Sequence, residues 1–104
     1  MTDLRLRFLH ADDWRVWREI RLRALADSPD AFGSTLARER SFTEVDWRRR
    51  CGDRSVVAFH GDLAVACGAV FADRPGYAAV VAMWVDPAQR GRGHSRRILD
   101  ALVA

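Results

Sequence analysis

Apolar and polar residues alternate from Leu4 to Leu9 (Leu-Arg-Leu-Arg-Phe-Leu), the period of a strand with one buried face. The period then lengthens. From about Asp12 to Ala26, Trp14, Trp17, Ile20, Ala24 and Leu25 fall on one side of a helix. The rest of that helix mixes Arg15, Arg18, Arg21 and Arg23 with Asp12, Asp13 and Glu19, as a solvated face does. A shorter helix is expected over Thr43 to Arg50, with Thr43 as N-cap and Asp46 three residues on. Ser55 to His60 and Leu63 to Ala72 read as strands joined by the two-residue turn Gly61-Asp62. Gly68 inside the second strand signals a bulge or a close backbone approach. After the turn cluster Asp73-Arg74-Pro75-Gly76, Tyr77 to Val85 is apolar enough to be a strand buried on both faces. The order is β-α-α-β-β-β-α, an α/β chain with a mixed sheet.

Pro87 ends the last strand because it has no N–H to donate. The chain then runs Ala88-Gln89-Arg90-Gly91-Arg92-Gly93-His94-Ser95-Arg96-Arg97-Ile98-Leu99 into a helix. Two residues without a Cβ let the backbone turn sharply and approach a ligand. The unpaired N–H groups of the helix's first turn, together with its positive dipole end, favour an anion such as phosphate. Arg90, Arg92, Arg96 and Arg97 add charge there. The competing reading is an ordinary helix start with solvated arginines. A dinucleotide fingerprint does not fit, because Arg96 stands where the third glycine belongs and no acidic residue follows at the ribose position. A Walker loop fails for lack of Gly-Lys-Ser/Thr.

Composition narrows the classes. The chain has 104 residues, 49% hydrophobic and 30% charged, which is globular rather than disordered composition. No stretch has transmembrane length, and Met1 to Leu9 lacks the apolar run of a signal peptide, so a cytoplasmic location is expected. All 17 basic side chains are arginine, for a net charge of +3. Of the basic groups, only Arg90 to Arg97 lacks acidic neighbours in sequence, and it coincides with the glycine loop. A phosphate-bearing small molecule accounts for that cluster more economically than a duplex. Cys51 and Cys67 have neither the spacing nor the histidine partners of a metal site. Cys67 is expected to act as a small buried hydrophobe.

The segment Arg90-Gly91-Arg92-Gly93-His94-Ser95 resembles the acetyl-CoA pyrophosphate loop of the GCN5-related N-acetyltransferases (the GNAT family), Gln/Arg-x-x-Gly-x-Gly/Ala, in all but the last position. Trp14 to Phe32 (Trp-x-x-Trp-x-x-x-Arg-Leu-x-Ala-Leu-x-x-Ser-Pro-x-Ala-Phe) is similar to the first helix and following loop of many members. The resemblance covers essentially the whole chain, 1–104, as a single acetyltransferase-like domain incomplete at its C-terminus. It implies a partial GNAT-like fold lacking the C-terminal strands and helix, including the fifth strand that opens the pantetheine slot. Also lacking is the helix whose tyrosine often protonates the leaving thiolate.

The implied activity is N-acetyl transfer from acetyl-CoA to a small-molecule or peptide amine, with no metal. Arg90, Gly91, Arg92, Gly93, His94 and Ser95 would hold the pyrophosphate. Met83, Trp84 and Val85 would line the pantetheine arm through their main chain, their side chains lying in the core. Tyr77 to Val85 holds no acid, so no general base stands out. Glu39 and Glu44, in the segment that lines the acceptor side in the family, could act through a water, although solvated helix carboxylates are commoner. Tyr77 could face the acceptor or merely pack. His60 reads as a hairpin residue and Asp86 as a turn cap. Two other readings stand beside the enzyme. One is a non-catalytic CoA-binding or self-assembling remnant, in which a homodimer completes the sheet at the open edge of the Tyr77 to Val85 strand. The other is a small basic nucleic-acid-binding module, which would show steep salt dependence.

Overall fold

In the computed structural model, residues 4–51 and 54–103 are described, apart from the side chains of residues 72–74 and 77. The elements run β1 (Leu4–Phe8), α1 (Trp14–Asp27), α2 (Leu36–Arg40), α3 (Glu44–Cys51), β2 (Arg54–His60), β3 (Leu63–Arg74), β4 (Tyr77–Val85) and α4 (His94–Val103). Single 3₁₀ turns lie at Ala11–Asp13, Pro29–Ala31 and Pro87–Gln89. Two tight turns organise the centre: Gly61 (φ +58°) joins β2 to β3, and Gly76 (φ +77°) joins β3 to β4. The result is a four-stranded sheet in the order β1-β2-β3-β4, with every neighbouring pair antiparallel. A mixed sheet was the expectation; the described strands contain no parallel pair.

Alternation along the strands sends side chains to two cores. On one face Val57, Phe59, Cys67, Ala69 and Trp84 meet Trp17, Ile20 and Ala24 of α1 and Trp47 and Cys51 of α3. On the other, Leu4, Val56, Ala58, Val65 and Ala66 meet Ile98 and Leu102 of α4. The face read for α1 is the buried one, and the Thr43–Asp46 cap forms as expected. The Thr43 N–H donates to Asp46 Oδ2 at 3.0 Å, and the Asp46 N–H donates to Thr43 Oγ1 at 3.3 Å. No helix among the described residues is long and apolar enough to cross a membrane.

Three features differ from the expectation. Helix α2 is extra; its five residues are too short to show a hydrophobic period, and it rests on Thr35, whose hydroxyl accepts from the Arg38 N–H at 3.1 Å. A bidentate ion pair ties α2 to α1, Arg21 Nε and Nη2 donating to the two Glu39 oxygens at 2.9 and 3.0 Å. Second, β3 runs on to Arg74, so only Pro75 and Gly76 are left for the turn. Third, β4 is not buried on both faces: Val80 and Val81 are 37% and 40% exposed. It is the edge strand of the described sheet, and the helices cover only its second half, where Trp84 turns toward α1 and Met83 and Val85 toward α4. Uniform burial belongs to central strands with helices on both sides.

The bulge expected near Gly68 is present. Cys67 pairs with Trp84 and Ala69 with Val81, so Ala82 and Met83 together oppose the single residue Gly68. Ala82 takes φ +58°, a left-handed conformation that a side chain makes costly. The close approach is present too. A Cβ on Gly68 would lie 2.4 Å from Met83 Sδ, 2.8 Å from Ile98 Cγ2 and 3.2 Å from Leu102 Cδ1.

Gly68→Ala should therefore destabilise the fold by about 1–3 kcal/mol, read by denaturant unfolding, because the added methyl overpacks the α4 interface. Glu39→Gln should cost about 3 kcal/mol at neutral pH by leaving Arg21 without its buried anion. Burial alone would raise the Glu39 carboxyl above its ordinary 4.5, but the hydrogen bonds and charge of Arg21, aided by Ser34 and the charge of Arg50, outweigh it and hold the group lower. The stabilisation is thus complete above the ordinary carboxylate range and disappears as pH falls through the depressed folded value. The gap between Glu39→Gln and the parent should close on acidification.

Candidate functional site

The end of β4 and the start of α4 form one wall of a cleft of about 430 Å³, closed opposite by Ser28, Ala31 and Phe32 from the segment after α1. Gly91 and Gly93 carry the turn with φ +80° and +79°, and a Cβ at either would meet no atom within 4 Å. Conformation rather than crowding demands glycine there, and the space beside the backbone is open. The first α4 amide to bond backward is Arg97, to the Gly93 carbonyl at 3.2 Å. The N–H groups of His94, Ser95 and Arg96 precede it, as at any helix start. An anion held there would meet these donors and the dipole end together.

Of the residues expected to hold a cofactor, eight line this cleft: Met83, Trp84, Val85, Arg90, Gly91, Gly93, His94 and Ser95. Arg92 is the exception; it is exposed beside the loop, with only a long 3.4 Å contact to Gln89 Oε1. The arginines here are less uncompensated than their sequence neighbourhood suggests. Arg90 donates to the Val85 carbonyl and to Asp27 Oδ2, each at 2.9 Å, and Arg96 pairs with Asp100 at 3.1 Å. Asp27 lies far from both Trp84 and Arg90 in sequence, so its role had no local signal. Its Oδ2 also accepts from Trp84 Nε1 at 3.0 Å. Hydrogen bonds from Trp84, Ser28 and Arg90 hold the Asp27 carboxyl below its ordinary range. One ionised carboxylate at the end of α1 therefore clamps β4 and the glycine turn.

His94 is buried as the first residue of α4, its ring edge-on to His60 with centroids 5.4 Å apart. Its Nδ1 has no hydrogen-bond partner, and burial, then the charge of His60 and the nearby arginines, keeps the ring's pKa low. Asp86 caps the turn after β4 as expected, accepting from the Ala88 N–H at 2.9 Å, and is also bonded by Arg23 at 2.6 Å.

A second, larger cleft of about 830 Å³ lies between α1, α3 and the exposed half of β4. It shares Ala31, Phe32 and Met83 with the first, so the two meet at the β4 bulge. Ala82, which no sequence signal marked beyond the facing Gly68, lies at that junction. A bulge frees backbone groups that a regular ladder would consume. The candidate catalytic residues are scattered. Glu39 lines the large cleft but is 1% exposed, with both oxygens on Arg21. Glu44 is exposed, its carboxylate bonded to Arg48 at 2.9 Å, and lines neither cleft. Tyr77 begins β4, and its side chain lies outside the described residues.

Both cysteines are buried free thiols. Burial pushes Cys67 up to about 12 and Cys51 to about 11, so neither is a thiolate nucleophile near neutral pH. Among the described residues no three His, Cys, Asp or Glu side chains gather as metal ligands would.

Comparison with known proteins bears on this geometry. The chain is similar in fold to diaminobutyrate acetyltransferase from Paenibacillus lautus, solved with L-2,4-diaminobutyric acid and coenzyme A. The TM-score is 0.72 at 17% identity, over 99% of this chain and 58% of that one. N-acetylglutamate synthase from Neisseria gonorrhoeae, solved with coenzyme A and N-acetyl-glutamate, gives 0.70 at 12% identity, over 99% and 22%. An N-acetyltransferase from Thermoplasma acidophilum in complex with coenzyme A gives 0.66 at 10%, over 96% and 69%. This chain thus spans less than two-thirds of the first two. No curated protein matches it in sequence. The model of the acetyltransferase (GNAT) family matches residues 10–104, and with the fold just described this chain belongs to that family.

Proposed function

We propose that this chain binds acetyl-CoA in the smaller cleft and serves acetyl transfer to an amine placed in the larger one. The observation that carries the reading is the junction of the two clefts at the β4 bulge, beside a glycine turn and helix start suited to a diphosphate. The coenzyme A complexes of similarly folded proteins support it. Gly91, Gly93 and the first-turn amides of α4 would take the pyrophosphate, with Ser95 able to donate its hydroxyl. Arg92, rather than Arg90, would supply the mobile charge, since Arg90 is committed to Val85 and Asp27. Met83, Trp84 and Val85 would run beside the pantetheine arm, and backbone N–H groups freed at the bulge would face the thioester oxygen. When bound, acetyl-CoA supplies an acyl carbon that bonds the amine nitrogen as the C–S bond breaks, the amine proton leaving to solvent and the thiolate taking one up. Glu39 is better assigned to scaffolding than to base catalysis. The positive lining of the acceptor cleft instead favours the neutral, nucleophilic amine by disfavouring ammonium.

A second reading, self-association through β4, rests on the exposure of Val80 and Val81 at the described sheet's edge. A dilution-resistant monomer in light scattering would remove it.

Acetyl-CoA should raise the melting temperature of the chain by several degrees. Linkage gives about 2.7 kcal/mol at a hundredfold excess over Kd. Gly93→Asp, which puts an anion and a strained backbone into the turn, should abolish that shift while circular dichroism stays native. An undiminished shift would place the cofactor elsewhere. Arg92→Gln should weaken CoA binding in calorimetry without lowering the melting temperature of the free chain.

A further inference from the structure

We propose that the acceptor amine also carries a carboxylate, and that Arg49 and Arg50 of α3 receive it. The inference rests on the reading of the larger cleft as the acceptor side. Five charged side chains line that cleft: Arg21, Glu39, Asp46, Arg49 and Arg50. Two are spent on each other, since Arg21 bonds both Glu39 oxygens. A third is spent on its own helix, because Asp46 Oδ2 accepts from the Thr43 N–H at 3.0 Å and from its hydroxyl at 3.1 Å. Arg49 and Arg50 remain, in through-space attraction to the Asp46 carboxylate and, for Arg50, to Glu39, but hydrogen-bonded to neither. Among the described residues neither forms an ion pair, and the Arg50 guanidinium lies over the Phe42 ring, 4.3 Å from its centroid. Stacking of that kind orients a guanidinium and leaves its N–H edge to bind.

A separate observation points to the same cleft. Ser55, only 1% exposed, lines the cleft, and its hydroxyl has no hydrogen-bond partner. A buried hydroxyl is normally satisfied, so a ligand atom accepting from it completes the site. Two guanidinium groups and one hydroxyl can all donate, and with the Asp46 carboxylate turned to Thr43 they leave one positive charge in excess. They suit a planar carboxylate, which accepts in bidentate fashion from guanidinium. A polyamine would bring further positive charge against these cations. The amine end would then point to the bulge at Ala82, where the clefts meet, and the carboxylate end to α3.

The test is titration of matched amines into the intact chain, with and without CoA, followed by NMR and calorimetry. The pairs are lysine against cadaverine and β-alanine against ethylamine, with phosphoethanolamine as a third arm. The carboxylated member should bind at least about tenfold more tightly, a difference of about 1.4 kcal/mol. Arg49→Gln with Arg50→Gln should erase that preference, and Arg49→Glu should shift it toward cadaverine; melting temperatures verify that the variants fold. Equal affinity within a pair, no binding of any carboxylated amine, tighter binding of phosphoethanolamine, or a preference that survives the double substitution would each overturn the proposal. Failure of CoA alone to bind would sink the cofactor reading instead, because the carboxylate preference is also read without it.

Discussion

Position 68 of β3 has no side chain, and groups from two other elements occupy the space one would fill. Met83 of β4 and Ile98 and Leu102 of α4 all press on that bare backbone. The contact sets how closely α4 lies on the sheet, and with it where the preceding glycine turn stands. It also faces the two residues of β4 that bulge. The packing of α4 and of the bulged part of β4 against β3 therefore depends on one missing methyl group. Close packing transmits such a constraint because the interior has no slack to absorb it.

The clamp at Asp27 works on the same region from the other face. Its carboxylate joins the end of α1 to the Trp84 indole and the Arg90 guanidinium, while Arg90 also holds the Val85 carbonyl. The end of β4 and the glycine turn both converge on a charge that lies 57 and 63 residues away in the chain. The Trp84 side chain thereby belongs to the core and to the clamp at once, which leaves the strand's backbone to face the cleft. Preorganisation of this kind keeps main-chain donors in place without a mobile side chain to order on binding.

Much of the fold was legible because its signals are local. Period-two and period-3.6 patterns, the Thr43–Asp46 cap and the Gly61 turn each act within a few residues and appear where expected, and Gly68 stood out as a lone glycine inside a strand although its partners lie far along the chain. What escaped depends on distance. A small apolar side chain within an apolar strand does not mark a bulge, so Ala82, flanked by Val81 and Met83, could not be singled out on its own. The exposure of Val80 and Val81 depends on which neighbours cover β4, and apolar character alone cannot report that. Helix α2 is shorter than the period that would betray it, and its anchor, Arg21–Glu39, spans 18 residues. The glycine turn itself was readable from Gly91 and Gly93; the partners that tie Arg90 down were not. The carboxylates fared worst, since the role of Glu39 follows from its burial beside Arg21 rather than from its place on a helix.

The two thiols bear on a side reaction that the proposed use of a thioester would bring. Transthioesterification needs a thiolate, and the acyl group would then move onto the protein instead of the acceptor. Cys67 lies directly beneath the bulge, its Sγ donating to the Ala82 carbonyl at 3.3 Å, and Cys51 donates to the His10 carbonyl at the same distance. Kept protonated and covered, neither sulfur would compete for the acyl carbon of the acetyl-CoA proposed to bind here. The same burial that packs these residues as small hydrophobes would protect a chain carrying out the proposed acetyl transfer from acylating itself.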